Sequence, residues 1–162
     1  MRIGEGVEWA IHCCTLLAVV GEERPLPVAR LAEFHGVPAP YLAKQMQALA
    51  RAGIVESVAG KRGGYRLRKA PPEVSLLDIY DAVEGDAAAF RCTEIRQRGP
   101  AALEPDRYRK PCGIARAMWA AEEAFRAQLR STTLADLLVG LVHDVPPESA
   151  AKGAAWMQEV LG

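Results

Sequence analysis

Apolar positions between Glu5 and Val20 recur at helical spacing, with Val7, Ile11, Cys14 and Ala18 on one face. The opposite side is not plainly polar, because Leu16 and Val19 fall there beside Glu8 and His12. A helix apolar on two faces is expected to pack against two things, the second being another subunit. Residues 21–27, rich in charge and proline, read as a connection. Residues 28–35 form a short helix closed by Gly36. Residues 39–52 form a second helix, with Pro40 in the first turn, where proline is tolerated, and a stripe of Leu42, Met46 and Leu49. Gly53 ends it; 54–58 reads as a strand, 60–64 as a tight turn and 65–67 as the returning strand. Ser75, with Asp78 in a capping-box position, starts a helix reaching about residue 84. Residues 85–111 lack periodicity, and a loop of that length inside a compact protein is usually functional or disordered. Residues 114–130 then give a strong amphipathic helix with Ile114, Met118, Ala121, Phe125 and Leu129 on one side, which suits a two-fold helix pair. Thr132 or Thr133 caps a short helix ending near residue 139, and the segment from Pro146, with Trp156 and Met157, forms one more weak helix.

Helix, tight turn, helix and a basic glycine-tipped hairpin follow one another in the order of a winged helix-turn-helix. The expected fold class is therefore mainly α with a small β wing. A recognition helix presents polar side chains to base edges in the major groove, and Tyr41, Lys44, Gln45 and Gln47 are the candidates. At the wing, Lys61 and Arg62 supply charge, while Gly63 and Gly64, followed by Tyr65, let the backbone approach a phosphate or groove. A DNA duplex is the expected partner. The 20 basic and 20 acidic residues cancel over the whole chain, which by itself argues against nucleic acid. The charge is unevenly spread, however: residues 24–69 hold nine basic side chains against Glu33 and Glu56. Such a patch neutralises phosphates and makes binding salt-dependent.

At 162 residues, half hydrophobic and a quarter charged, the chain fits one domain, or one domain with an appendage, and argues against a disordered or fibrous protein. No apolar run approaches the roughly 18 residues of a membrane span. The start, Met1-Arg2-Ile3-Gly4-Glu5, lacks a basic stretch followed by an apolar one, so no export signal and a cytoplasmic protein are expected. In a reducing compartment the separated Cys92 and Cys112 are ligands, redox-active thiols or core, rather than a stable disulfide. Cys14 falls on the core stripe, and Cys13 lies off it. No nucleophile with an orienting base and no phosphate-cradling loop is evident, so an enzyme is not expected.

Several runs together are similar to one family: Leu31-Ala32-Glu33, Tyr41-Leu42-Ala43-Lys44-Gln45, Ala52-Gly53-Ile54-Val55, Gly63-Gly64-Tyr65-Arg66-Leu67, and Leu76-Leu77-Asp78-Ile79-Tyr80-Asp81-Ala82-Val83-Glu84-Gly85. They resemble the bacterial IscR/NsrR (Rrf-type) winged-helix regulators over about residues 1 to 138. The resemblance implies a homodimeric transcription factor on a near-palindromic operator. It divides the chain into a DNA-binding domain at 1–85, a cluster-binding loop at 86–113, a dimerisation helix with a short following helix at 114–140, and a tail at 141–162. Many members hold an iron–sulfur cluster with three closely spaced cysteines, whereas this loop has two. It looks instead like the RsrR-type branch, in which a 2Fe–2S cluster takes two cysteines from one subunit and a glutamate and a histidine from the first helix of the other. The matching positions are Cys92, Cys112, Glu8 and His12.

The chemistry suits that set. Glu8 and His12 lie four apart on one helix face, pointing away from the stripe at Val7, Ile11 and Cys14, and so need a second surface. Iron–sulfur clusters favour thiolates, histidine can replace cysteine on one iron, and the mixed donor set is less negative than four thiolates and accepts an electron more readily. Trp9, beside the site, is a candidate gate. The alternatives are a cluster-free regulator reading thiol oxidation, through a Cys92–Cys112 disulfide, or a small ligand; a zinc site on the same residues; and an electron-transfer iron–sulfur protein.

Overall fold

The computed structural model describes residues 3–60 and 62–162. Lys61, one of the two wing-tip cations expected above, lies outside the described residues.

Helix α1 (Glu5–Val20) is the axis of the core. It packs against α3 (Ala39–Arg51), α4 (Leu76–Glu84) and α6 (Leu134–Asp144). Packing on several sides buries Val7, Ala10, Cys13, Cys14, Leu16 and Leu17, a far wider arc than a single stripe. Cys13 and Leu16, expected off the buried face, are therefore inside. The arc left open is narrow and carries Glu5, Glu8, His12 and Val19. Leu26, Leu31, Leu42, Met46, Leu49, Ile54, Ile79 and Leu134 complete the core.

Helix α2 (Val28–His35) ends where Gly36 takes the left-handed conformation at φ 65° and ψ 32°. There Gly36 N–H donates to Glu33 and Val37 N–H to Ala32, a closure that turns the chain sharply into α3. The same device at Gly53 ends α3 and launches β1 (Val55–Val58), which pairs antiparallel with β2 (Gly64–Leu67) in the register Val55 to Leu67 and Val58 to Gly64. Leu26 adds a third rung, exchanging both backbone hydrogen bonds with Tyr65 at 2.8 and 2.9 Å. The hairpin is thus tied close to its turn to the segment entering α2.

Ser75 caps α4 in a full capping box with Asp78, and Thr133 does the same for α6 with Asp136. Between these caps the backbone pairs briefly, Leu76 N–H to Thr132 O at 2.8 Å and Leu134 N–H to Val74 O at 2.9 Å. This anchors the end of α5 (Gly113–Ser131) to the start of α4. Arg126 also grips Asp81 with two hydrogen bonds of 2.6 and 2.9 Å, and Phe125 meets Tyr80 edge to face. The rest of α5 is mostly exposed, Ile114, Met118 and Trp119 included, although Ala115 is buried and Glu122 accepts a hydrogen bond from Ala89 N–H at 2.9 Å. Residues 85–112 hold only two single 3-10 turns, at Ile95–Gln97 and Pro105–Arg107. Helix α6 runs five residues beyond the expected end, to Asp144, and the weak final helix is the well-formed α7 (Pro147–Leu161). The sequence pattern understated α7 because its apolar side chains are few and divided, Trp156 meeting α2 while Met157, Val160 and Leu161 reach the core. Trp156 stacks on Phe34 at 4.9 Å and donates its indole N–H to Glu33 at 3.1 Å.

Candidate functional site

One surface is built by α2, α3 and the hairpin. On α3, burial of Leu42, Met46 and Leu49 turns Tyr41, Lys44 and Gln47 outward, and all three are exposed. Gln45 is different: it is half-buried and its amide lies against Gly6 of α1, so close that a methyl group on Gly6 would sit 2.7 Å from it. Arg62 is exposed at the wing tip. Gly63 and Gly64 have structural reasons to be glycine. A Cβ on Gly63 would meet the Val58 carbonyl at 2.3 Å, and one on Gly64 would meet the Leu26 carbonyl at 2.3 Å. Tyr65 is half-buried and packs on the core. Arg66 is held by Glu56 at 2.8 Å and the Glu22 carbonyl at 3.2 Å. Arg24 and Arg30, which count in the sequence only as charge, stand with Arg62 around a hollow of about 560 Å³ that Val160 and Leu161 of α7 also border. They were missed because the hollow exists only once the entry to α2, the wing and α7 come together.

The expected metal ligands fall into two groups. Glu8 and His12 are exposed on the open arc of α1, at the mouth of a mostly apolar hollow of about 200 Å³ lined by Ile3, Val7, Ile11, Leu76, Tyr80 and Leu129. Trp9 next to them is half-buried and packs on the core. The His12 ring lies 5.5 Å from His35 of α2. His35 is lowered to about 4 by burial first and by His12 second, so it is neutral near pH 7, and its Nε2 is buried without a hydrogen-bond partner.

Cys92 and Cys112 come from the two ends of the irregular loop, both half-buried. Glu94 joins them. Its backbone N–H donates to Cys92 Sγ at 3.4 Å, the Cys92 thiol faces its carboxylate at 3.8 Å, and the Cys112 amide helps hold that carboxyl below the usual range, after Arg96. Cys112 caps α5, and the backbone N–H groups of Ala115 and Ile114, with a smaller contribution from Arg96, lower its thiol below the ordinary cysteine range. Burial pushes Cys13 up to about 12, and burial together with the neighbouring Cys13 raises Cys14 higher still. Those two are inert core residues, whereas the thiol of Cys112 is the more readily ionised. Among the described residues of one chain, no group of three or more His, Cys, Asp or Glu side chains could hold a metal ion.

Comparison with known proteins settles the family. The family model described as "Rrf2: Iron-dependent Transcriptional regulator" matches residues 3–140. The chain belongs to the Rrf2 family. It is a DNA-binding transcriptional regulator, with a regulatory rather than a catalytic role. Protein aau3 of Rhizobium meliloti is 29% identical over 160 residues, covering 93% of this chain and 99% of that one. The transcriptional repressor NsrR of Streptomyces coelicolor is 32% identical over 139 residues, 85% of this chain and 88% of the repressor. Other curated regulators match over a shorter part; the chain spans 61% of one from Aquifex aeolicus. The solved structure of CymR (YrzC), described as the global cysteine regulator of B. subtilis, superposes with a TM-score of 0.62 at 26% identity, over 86% of this chain and 97% of CymR. These neighbours carry the mainly helical fold with its two-stranded wing. Helix α7 lies outside the family match. No described helix is long and apolar enough to cross a membrane.

Proposed function

We propose that this Rrf2 regulator is a homodimer that reads redox state through a 2Fe–2S cluster held between subunits, by Cys92 and Cys112 of one and Glu8 and His12 of the other. The observation that carries the reading is the presence of two incomplete donor groups on one chain. Glu8 and His12 are exposed on one, Cys92 and Cys112 half-buried on the other, and among the described residues neither forms a complete metal site. The donor chemistry fits: a lowered cysteine thiol supplies the anionic sulfur that iron prefers, and a carboxylate and imidazole one helical turn apart can converge on one ion. When bound, the cluster supplies a reversible one-electron change. The chain's own part is to hold it. Exposed Ile114, Met118 and Trp119 on α5 offer the face for a second copy. Trp9 gates the site from beside Glu8. On DNA, Tyr41, Lys44 and Gln47 face the major groove and Arg62 the adjoining backbone, with the two recognition helices of a dimer about 34 Å apart on a near-palindromic operator.

The test is anaerobic reconstitution followed by visible spectroscopy and iron analysis. Two irons per cluster with visible absorbance, absent from H12A and C92S, is the expected result; a colourless protein sinks the proposal. A second reading, a cluster-free thiol switch, draws on the lowered Cys112 thiol beside Cys92 and on the likeness to CymR. Under it, H12A and E8A would respond to oxidant and reductant as the wild type does.

A further inference from the structure

The loop between the two cysteines is the least regular part of the chain, yet its ends are held together by one side chain. Arg96 Nε–H donates to Glu94 at 2.7 Å and its Nη2 reaches the second carboxylate oxygen at 3.4 Å, a two-pronged grip. The same Nη2 donates to the backbone carbonyl of Lys110, two residues before Cys112. The guanidinium lies over the Tyr108 ring at 4.9 Å, and the Tyr108 hydroxyl donates back to the Arg96 carbonyl at 2.9 Å while accepting from Leu103 N–H at 2.9 Å. Arg96 therefore touches residues on both sides of the loop. Its carboxylate partner Glu94 is the one non-glycine residue among those described with a positive φ, at 48°, in a region that suits glycine and costs a glutamate. Strain of that kind persists only where surroundings hold it in place, and the Arg96 grip and the Cys92 sulfur are those surroundings.

We propose that Arg96 is the positioning residue of the sensor loop: through Glu94, Tyr108 and the Lys110 carbonyl it closes the loop so that Cys92 and Cys112 stand together as a ready dithiol before any metal arrives. Its charge has a second effect. A carboxylate stands beside the two sulfurs, and the guanidinium offsets its charge; it would do the same for an anionic cluster. Lysine keeps that charge but not the planar fork or the stacking on Tyr108. The proposal rests on the cluster reading only for this second effect.

The experiment on the full-length, cluster-free protein uses phenylarsine oxide, whose arsenic bonds two neighbouring thiols and releases one water, taking both thiol protons and its own oxygen. The wild type binds one arsenical per chain, and C92S or C112S abolishes binding, which excludes buried Cys13 and Cys14. R96A weakens binding by at least about tenfold, because ordering of the loop must then be supplied on binding. R96K weakens it nearly as much. A folded R96A that binds within roughly twofold of the wild type overturns the proposal. Should R96A not fold, Y108F, which removes only the hydroxyl tie, decides in the same way, with an expected loss of roughly threefold. In reconstituted protein, R96Q lowers the cluster's midpoint potential and R96K restores it; an unchanged potential in R96Q overturns the role of the charge. The arsenical measurement involves no iron, so a protein that fails to assemble a cluster leaves it decisive.

Discussion

At the scale of single residues, the four cysteines show how little a sequence position says about reactivity. Cys13 and Cys14 are buried in α1 and their thiols are raised by burial; Cys112 sits at a helix N-terminus among backbone N–H groups and its thiol is lowered. A lowered thiol exposes more thiolate at a given pH. Alkylation of Cys112 by iodoacetamide should therefore rise at lower pH than for a free cysteine, with Cys13 and Cys14 unmodified until the protein is unfolded. Peptide mass spectrometry after timed labelling checks this, and early labelling of Cys13 would contradict the burial. Much of this was out of reach of periodicity. Cys13 falls off the apolar stripe, and only the packing of α3, α4 and α6 around α1 explains its place. The exposure of Glu8 and His12, by contrast, was legible from their spacing. Glu94 and Arg96 were invisible because their roles depend on a loop closed by long-range ties.

At the scale of elements, caps and docked helices separate what holds locally from what holds globally. Ser75 and Asp78 were readable as a capping box, and S75A should cost about 1 kcal/mol in urea denaturation, with the fold retained. Helix α7 was readable only as weak, because its anchors are split between Trp156 on α2 and Met157, Val160 and Leu161 on the core. W156A should free α7, leaving residues 146–162 open to limited proteolysis while the remainder resists. The docking should also depend on pH. The Glu33 carboxyl is held low, first by the Trp156 N–H and then by Arg30. A folded value below the unfolded one means that its contribution is full above the ordinary glutamate range and is lost as the pH falls through that range towards the folded value. Tryptophan fluorescence of the wild type should follow this loss, and E33Q should remove it. The wing glycines carry the same lesson. Gly63 and Gly64 were expected to serve DNA approach, and the neighbouring carbonyls of Val58 and Leu26 already demand them.

At the scale of the whole molecule, zero net charge conceals a division of labour. The stretch from residue 24 to 69 is strongly positive and the remainder is equally negative. Operator affinity should fall linearly on a log–log plot against salt. Replacing Lys44 or Arg62 by alanine should reduce the slope by about one for each phosphate that is no longer neutralised. The exposed apolar face of α5 belongs to the same scale. W119E should dissociate a dimer, as read by light scattering, and weaken operator binding with it, whereas a monomeric wild type would contradict the pairing. The order of helices and wing was legible because turns, caps and glycines punctuate it locally. The proposed pairing of the two donor groups was legible only through the family resemblance, since periodicity within one chain cannot show a site between two.

The attachment of α5 has a mechanical meaning. It is fastened near one end, by Arg126 to Asp81, Phe125 to Tyr80 and the short backbone pairing at Thr132, while Cys112 lies at the other. Between Arg126 and Cys112 the helix is roughly 20 Å long at 1.5 Å per residue, so it acts as a lever arm. A rotation of roughly ten degrees at its fulcrum carries the thiols through about 3–4 Å at that helical rise. On the proposed reading, a slight tilt where α4 meets α5 is geared to a larger excursion at Cys112, and a change at that far end is felt as torque at the fulcrum.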